Sequence, residues 1–435
     1  MSERMLISYY GDDFTGSTDV MEALSANGVP TVLFTRIPES QERLRFSGYR
    51  AVGLAGQSRS RPPDWMDRML PQAFDWLRSL GAGFCHYKIC STFDSAPGRG
   101  SIGRAIEIGL RTFGQHRTAL IVGAPQLGRY TFAGHLFATY RDSVFRIDRH
   151  PVMSRHPATP MNESDLLVHL GAQTDLPSTL LDQLGPTGPI ADDNRIVLID
   201  VHDNATQARA GALVADPANA LGPFIVGSSG VEYALLSAWR DAGLIGKPGT
   251  HEPATPKDRI AVVSGSCSET TERQIRAAEQ NGFAAISVDY GRIASGEGLE
   301  HERARALDGA AKALRSGLSP IVHTALGPQS VATSDGTVGD DTSERVGRFL
   351  GALLDTLRRE FSLDRLVIAG GDTSSTALGE LDVVALTLRH PIAASPGSPL
   401  CNAWTRSPGD TFEIALKGGQ IGNDDYFMRL RDGMV

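Results

Sequence analysis

Gly11-Asp12-Asp13-Phe14-Thr15-Gly16 is the stretch on which the reading of this chain turns. The apolar run from Leu6 to Tyr10 leads into it and reads as a buried strand. Ser17 to Asn27 follows, with Val20, Ala23 and Leu24 at helical spacing and Asn27-Gly28 as a stop. The motif therefore lies on a strand-to-helix turn. In an open α/β sheet that is the carboxyl edge, where ligands bind. Two adjacent carboxylates repel anions, so the turn makes a poor phosphate cradle. It suits a hydroxyl-rich ligand, a metal or a general base. Either aspartate could instead cap the helix that follows.

Outward from this turn, strand and helix signals alternate. Thr31 to Phe34, Ala51 to Leu54, Phe84 to Ile89, Thr118 to Val122, Ile196 to Val201 and Phe224 to Val226 read as strands. The strand at Ala51 runs into a polar loop, Gly56-Gln57-Ser58-Arg59-Ser60-Arg61, whose two arginines suit a carboxylate held bidentately or else solvent. The strand at Phe84 feeds Lys88-Ile89-Cys90-Ser91-Thr92-Phe93-Asp94-Ser95. Lys88 could neutralise a carboxylate or a developing phosphoryl charge, and Asp94 could orient a hydroxyl. The stretch 123–160 has no clear period and mixes apolar and basic residues, which suggests a lid or a substrate-binding excursion. Gly227-Ser228-Ser229-Gly230 misses the spacing of a nucleophilic serine elbow.

The chain has 435 residues, 41% hydrophobic and 21% charged, which is enough for two or three domains with sizeable cores. A net charge of −8 without a basic block argues against nucleic acid as a partner. No apolar run is long enough for a membrane span, and no signal-peptide pattern is present, so a cytoplasmic protein is expected. The four cysteines show neither metal-ligand spacing nor a disulfide framework. A Gly- and Pro-rich linker at 243–258 separates domains at 1–242 and 259–435.

Past the linker, Ile260 to Val263 reads as a strand that enters the turn Ser264-Gly265-Ser266-Cys267-Ser268, and the helix from Glu269 to Gln280 follows. Small residues there let backbone N–H groups approach a phosphate at a helix N-terminus. Arg365 to Ala369 feeds a second such turn, Gly370-Gly371-Asp372-Thr373-Ser374-Ser375, whose hydroxyls and carboxylate suit phosphate oxygens and Mg²⁺. Neither is a Walker loop, and both could be tight turns with capping hydroxyls. Two on one edge favour a nucleotide site. The expected fold class is thus α/β, with two domains built on mainly parallel sheets.

Five motifs occur in the order of one family: GDDFTG at 11–16, YKICSTFDS at 87–95, SGSCS at 264–268, AGGDTS at 369–374 and LKGGQIG at 416–422. The chain resembles the four-carbon acid sugar kinases nearly end to end. The resemblance implies a sugar-acid-binding N-terminal domain, a nucleotide-binding C-terminal domain, an active-site cleft between them, and ATP with Mg²⁺. Matched by position, it implies that Asp12, Asp13 and Asp94 are the catalytic candidates, and that Arg61, Lys88 and Thr92 bind the acid. Ser264, Ser266, Ser268, Gly370, Gly371, Asp372, Thr373, Gly418 and Gly419 would contact nucleotide, with Asp372 also the metal ligand. Gly11 and Gln420 stand where members often carry alanine and asparagine, and the 141–156 segment is locally altered.

The expected function is ATP-dependent phosphorylation of a hydroxyl on a 3-oxo-tetronate, threonate, erythronate or 3-oxo-isoapionate. The partners are then the acid and ATP, with no nucleic acid and no membrane, and a homodimer is left open. A carboxylate-activating ligase would instead yield AMP or acyl phosphate, and a sugar-acid sensor would bind without turnover. An ADP-release assay over a panel of tetronates separates the three.

Overall fold

The computed structural model describes residues 4–156, 159–185, 190–327, 340–395 and 397–434; the side chains of residues 340, 341 and 372 lie outside this description. The chain divides into two compact units. One comprises Met1–Ile37 and Phe46–Gly249, the other Pro38–Arg45 and Thr250–Val435. Each unit is an α/β domain built on its own run of sheet.

The N-terminal unit is organised around β1 (Ile7–Gly11), every residue of which is buried. Strands buried on both faces read as continuous apolar runs, which is why Leu6 to Tyr10 was legible. β1 pairs in parallel with β3 (Ala51–Ala55) on one side and β4 (Phe84–Lys88) on the other. β2 (Thr31–Phe34) lies outside β3. Beyond β4 come β11 (Phe224–Gly227), β5 (Thr118–Ile121), β10 (Ile196–Ile199) and β9 (Ser178–Leu181), all parallel. The chain leaves β1 toward β2 and leaves β4 toward β5, so the two connections run to opposite sides. The crevice at the β1–β4 carboxyl edge is therefore a topological switch point, the place where such sheets bind ligands.

The 123–160 stretch is more regular than its sequence suggests. β6 (Arg129–Phe132), β7 (His135–Tyr140) and β8 (Ser143–Arg146) form a small antiparallel sheet. The strands are short and their residues mixed, and their turns pass through left-handed conformations at Ala133, Gly134 and Arg141. Those turns lack the Asn-Gly or Asp-Gly signal that marks a hairpin in sequence.

In the C-terminal unit β13 (Phe283–Ser287), β14 (Ser319–His323), β12 (Ala261–Ser264), β15 (Arg365–Ala369) and β18 (Thr411–Lys417) are parallel neighbours in that order. An antiparallel meander through β17 (Leu400–Thr405) to β16 (Val383–His390) completes the sheet. Register places Ser264 beside Ala369, and Ala369 beside Lys417. The ends of β12, β15 and β18 thus bring three polar turns to one edge. Among the described residues no helix is long and apolar enough to cross a membrane.

Candidate active site

Three strand ends meet at the switch point. The Asp12 amide donates to the Lys88 carbonyl at 2.9 Å, and the Arg59 amide donates to the Asp12 carbonyl at 3.0 Å. The loop after β3, the turn after β1 and the end of β4 are thereby tied together. Gly16 lets the Lys88 amine in: a Cβ there would lie 2.8 Å from Asp13 Oδ1 and 3.0 Å from Lys88 Nζ.

The three candidate carboxylates differ sharply in what they hold. Asp13 caps the helix Phe14–Ala26 by accepting the Gly16 amide at 2.5 Å, and its other oxygen takes Arg59 Nη1 at 2.5 Å. Asp94 accepts Arg59 Nη2 on both oxygens, at 2.9 and 2.8 Å, together with the hydroxyls of Thr92 at 2.6 Å and Thr159 at 3.1 Å. Burial would raise the Asp94 pKa, but the Arg59 guanidinium and the Thr92 hydroxyl outweigh it and hold the carboxyl below its ordinary value. Phe93, between Thr92 and Asp94, is held at φ 58°, a sparsely populated conformation that the fully buried ring over-determines.

Asp12 is the exception. It is 5% exposed, and its Oδ1 finds no donor among the described residues. Burial first, and then the adjacent Asp13 carboxylate, push its pKa up to about 7, against the pull of Arg59 and Lys88. A carboxylate with an unpaired buried oxygen and a pKa near neutrality is suited to accept a proton.

Lys88 is 2% exposed, with Asp19 Oδ2 at 3.6 Å from its amine. Burial alone would lower its pKa; Asp19, Asp12 and Asp13 together raise it above the usual lysine value, so it stays a cation. Asp19 in turn accepts a hydrogen bond from the Ser229 hydroxyl. Thr92 lies in the same cluster through Asp94. Arg61 sits differently: its Nη2 donates to Gln57 Oε1 at 2.9 Å and its guanidinium lies over the Trp65 ring at 5.7 Å. The guanidinium that bridges the acid cluster is Arg59. The sequence shows both arginines in one loop and no spacing that tells them apart.

The edge of the C-terminal unit is built of hydroxyls and glycines. Ser268 caps the helix Glu269–Glu279, accepting the Thr271 amide at 3.1 Å. Ser266 Oγ donates to Ser268 Oγ at 3.3 Å, and the Ser266 amide donates to the buried Ser264 hydroxyl at 3.3 Å. Ser268 Oγ donates to the Gly419 carbonyl, which joins the first turn to the third. The Gly370 amide donates to the Lys417 carbonyl at 2.8 Å, which joins the second to the third. Gly370 has φ 126°, and a Cβ there would lie 2.9 Å from Thr373 Oγ1. The helix Gly371–Glu380 starts at Gly370 with no side-chain cap among the described residues, the condition under which a helix N-terminus can take an anion. Ser264, Ser266, Ser268, Gly370, Gly371, Thr373, Gly418 and Gly419 are thus gathered on one edge.

Asp372 lies in the first turn of that helix, and its side chain falls outside the described residues. No group of three or more metal-ligating side chains occurs among the described residues.

Lys417 is a residue the sequence reading passed over. It ends β18 fully buried, and its amine donates to Thr271 Oγ1 at 3.0 Å and to the Gly418 and Gly419 carbonyls at 2.9 and 3.2 Å. No carboxylate pairs with it among the described residues, and burial lowers its pKa to about 7. The available signal was a lysine closing the otherwise apolar run Ile414-Ala415-Leu416.

Residues 7–235 match the model of a sugar-binding N-terminal domain, and residues 261–427 match that of a nucleotide-binding C-terminal domain. The 3-oxo-isoapionate kinase of Paraburkholderia graminis is 43% identical, over 99% of this chain and 95% of its own length. A 3-oxo-tetronate kinase of Methylobacterium radiotolerans is 30% identical, over 98% of each chain. A solved structure from Salmonella typhimurium LT2 superposes with a TM-score of 0.76 at 25% identity, covering 98% of each chain. By these matches the chain belongs to the four-carbon acid sugar kinase family: it is a sugar-acid kinase, a phosphotransferase with an alcohol group as acceptor.

Proposed function

We propose that the protein transfers the γ-phosphoryl group of ATP to a hydroxyl of a branched or four-carbon 3-oxo sugar acid, with 3-oxo-isoapionate the first substrate to try. The relative named for that acid is 43% identical, against 30% and 28% for two named for 3-oxo-tetronates. The observation that carries the mechanism is Asp12, whose buried carboxylate has an unpaired oxygen and a pKa near 7. Asp12 takes the proton of the attacking hydroxyl. The hydroxyl oxygen forms a bond to the γ-phosphorus as the bond to the β–γ bridging oxygen breaks, and ADP leaves.

Asp13 and Asp94 act through Arg59 and are positioning residues. Lys88, Thr92 and the loop that carries Arg61 face the oxygens of the acid. In the C-terminal unit the turns at Ser264–Ser268, Gly370–Thr373 and Gly418-Gly419 hold the nucleotide phosphates by N–H and hydroxyl groups. Lys417 stiffens the last of these turns. Mg²⁺ carried with ATP would neutralise phosphate charge, with Asp372 as its expected ligand. Phosphoryl transfer asks for positioning and charge stabilisation more than for covalent chemistry, and this inventory fits that demand. A cytoplasmic location, where ATP is supplied, belongs to the same reading.

A coupled ADP-release assay over 3-oxo-isoapionate, 3-oxo-tetronates, threonate and erythronate tests it. ATP-dependent turnover with at least one acid is expected. Binding without turnover, or AMP as product, would overturn it.

A further inference from the structure

Arg59 is paired with Asp13 and Asp94, and Lys88 faces Asp19. Arg129 is different. It opens β6, just past the end of β5 and the short helical turn Pro125–Leu127. Its main chain is pinned to Ala124, with N–H···O distances of 3.1 and 2.9 Å. Its Nη1 donates to the carbonyls of Leu127 at 3.0 Å, Gly128 at 3.2 Å and Thr139 at 3.5 Å. All three acceptors are neutral main chain. Among the described residues no carboxylate pairs with Arg129, Nη2 makes no hydrogen bond, and Nε is a buried donor without an acceptor. Burial accordingly holds its pKa below the usual arginine value.

A half-buried guanidinium with no counter-ion and an unmet donor is costly. The unmet edge is Nε with Nη2, a planar fork that matches the two oxygens of a carboxylate. Its position also fits. Arg129 follows the end of β5, whose carboxyl edge is that of the parallel sheet carrying Asp12 and Lys88. Arg129 and the Asp12 cluster therefore lie past the same edge of one sheet.

We infer that Arg129 receives the carboxylate of the sugar acid on its Nε–Nη2 edge. This assignment rests on the sugar-acid kinase reading and makes Arg129 the residue that selects acids over neutral sugars. Lys88 is then left to the hydroxyl or keto oxygens near the reacting end.

The test compares wild type, Arg129→Met and Arg129→Lys on the acid that wild type turns over and on its neutral carboxamide. Arg129→Met should raise KM for the acid about 10- to 100-fold, the worth of a charge-assisted fork, while KM for the carboxamide and for ATP stays within about threefold. Arg129→Lys should fall between, because it keeps the charge without the fork. Added methylguanidine should restore part of the activity of Arg129→Met on the acid and none on the carboxamide. An unchanged KM for the acid overturns the assignment, and so does an equal rise for acid and carboxamide, which would mark Arg129 as scaffolding for the 124–139 turns. Calorimetric binding of the acid reads the same difference without turnover, so an inactive wild type would count against the kinase reading while Arg129 is still tested.

Discussion

The carboxyl edges of the two units use burial in opposite directions. At the N-terminal edge, acids and cations alternate: Asp13, Arg59 and Asp94 form one paired row, and Asp19 and Lys88 another. Asp12 is buried among them with one oxygen unpaired among the described residues, and its pKa rises to about 7. At the C-terminal edge the described residues are glycines and hydroxyls around one lysine, and burial brings Lys417 down to about 7. Burial penalises charge in both cases. The acid answers by holding its proton to a pKa of about 7. The lysine answers by bonding main-chain carbonyls, and an anionic ligand nearby would raise its pKa again. On the proposed mechanism, one edge serves proton transfer on a hydroxylated substrate and the other holds phosphate.

The largest effect that could break this contrast is on turnover. Asp12→Asn should lower kcat by about 10²- to 10⁴-fold, the usual worth of a general base, with the fold retained. Asp13→Asn should cost less, because Asn still caps the helix and only the ion pair with Arg59 is lost; Asp13→Ala, which loses the cap as well, should lower stability by about 1 kcal/mol, read by urea titration. Next in size, Lys417→Met should raise KM for ATP about tenfold or more while leaving KM for the acid alone, since its amine bonds Thr271 and the Gly418-Gly419 carbonyls on the edge proposed for the nucleotide.

The two tuned groups also predict opposite pH dependences of stability. The folded pKa of Asp12 is raised, so the native state binds the extra proton between about pH 4 and 7 and stability falls as pH rises through that window. Asp12→Asn should therefore stabilise the protein at pH 8, by on the order of 2–4 kcal/mol. The folded pKa of Lys417 is lowered, so the unfolded state binds the extra proton between about pH 7 and 10.5 and stability gains with pH there. That gain should be missing from Lys417→Met. Gly16→Ala, which crowds Lys88 and Asp13, should lower kcat/KM about tenfold.

Much of this was legible in sequence because parallel sheets write themselves as apolar runs ending in polar turns. The strands carrying Asp12, Lys88, Ser264 and Gly370 could be placed for that reason. The roles inside each cluster could not. Asp12 and Asp13 are identical neighbours in sequence, and only the direction of each side chain makes one a cap and the other a buried, unpaired carboxylate. Arg59 and Arg61 differ by two positions in a loop, where no periodicity fixes which points inward. β6 to β8 escaped notice because their strands are short and their turns use Ala133 and Arg141 at positive φ. Arg129 and Lys417 were hidden because the sequence shows a cation but not its missing partner.

The most direct test of the central claim is the pH profile of kcat/KM for the acid, compared in wild type, Asp12→Asn and Asp94→Asn. Wild type should show a rising limb with an apparent pKa near 7, and Asp94→Asn should keep it at reduced rate. Asp12→Asn should lose that limb along with most of its turnover. A limb from the phosphates of ATP would survive in every variant and so can be told apart. If Asp12→Asn keeps wild-type turnover, or keeps the whole of the wild-type limb, Asp12 is not the base.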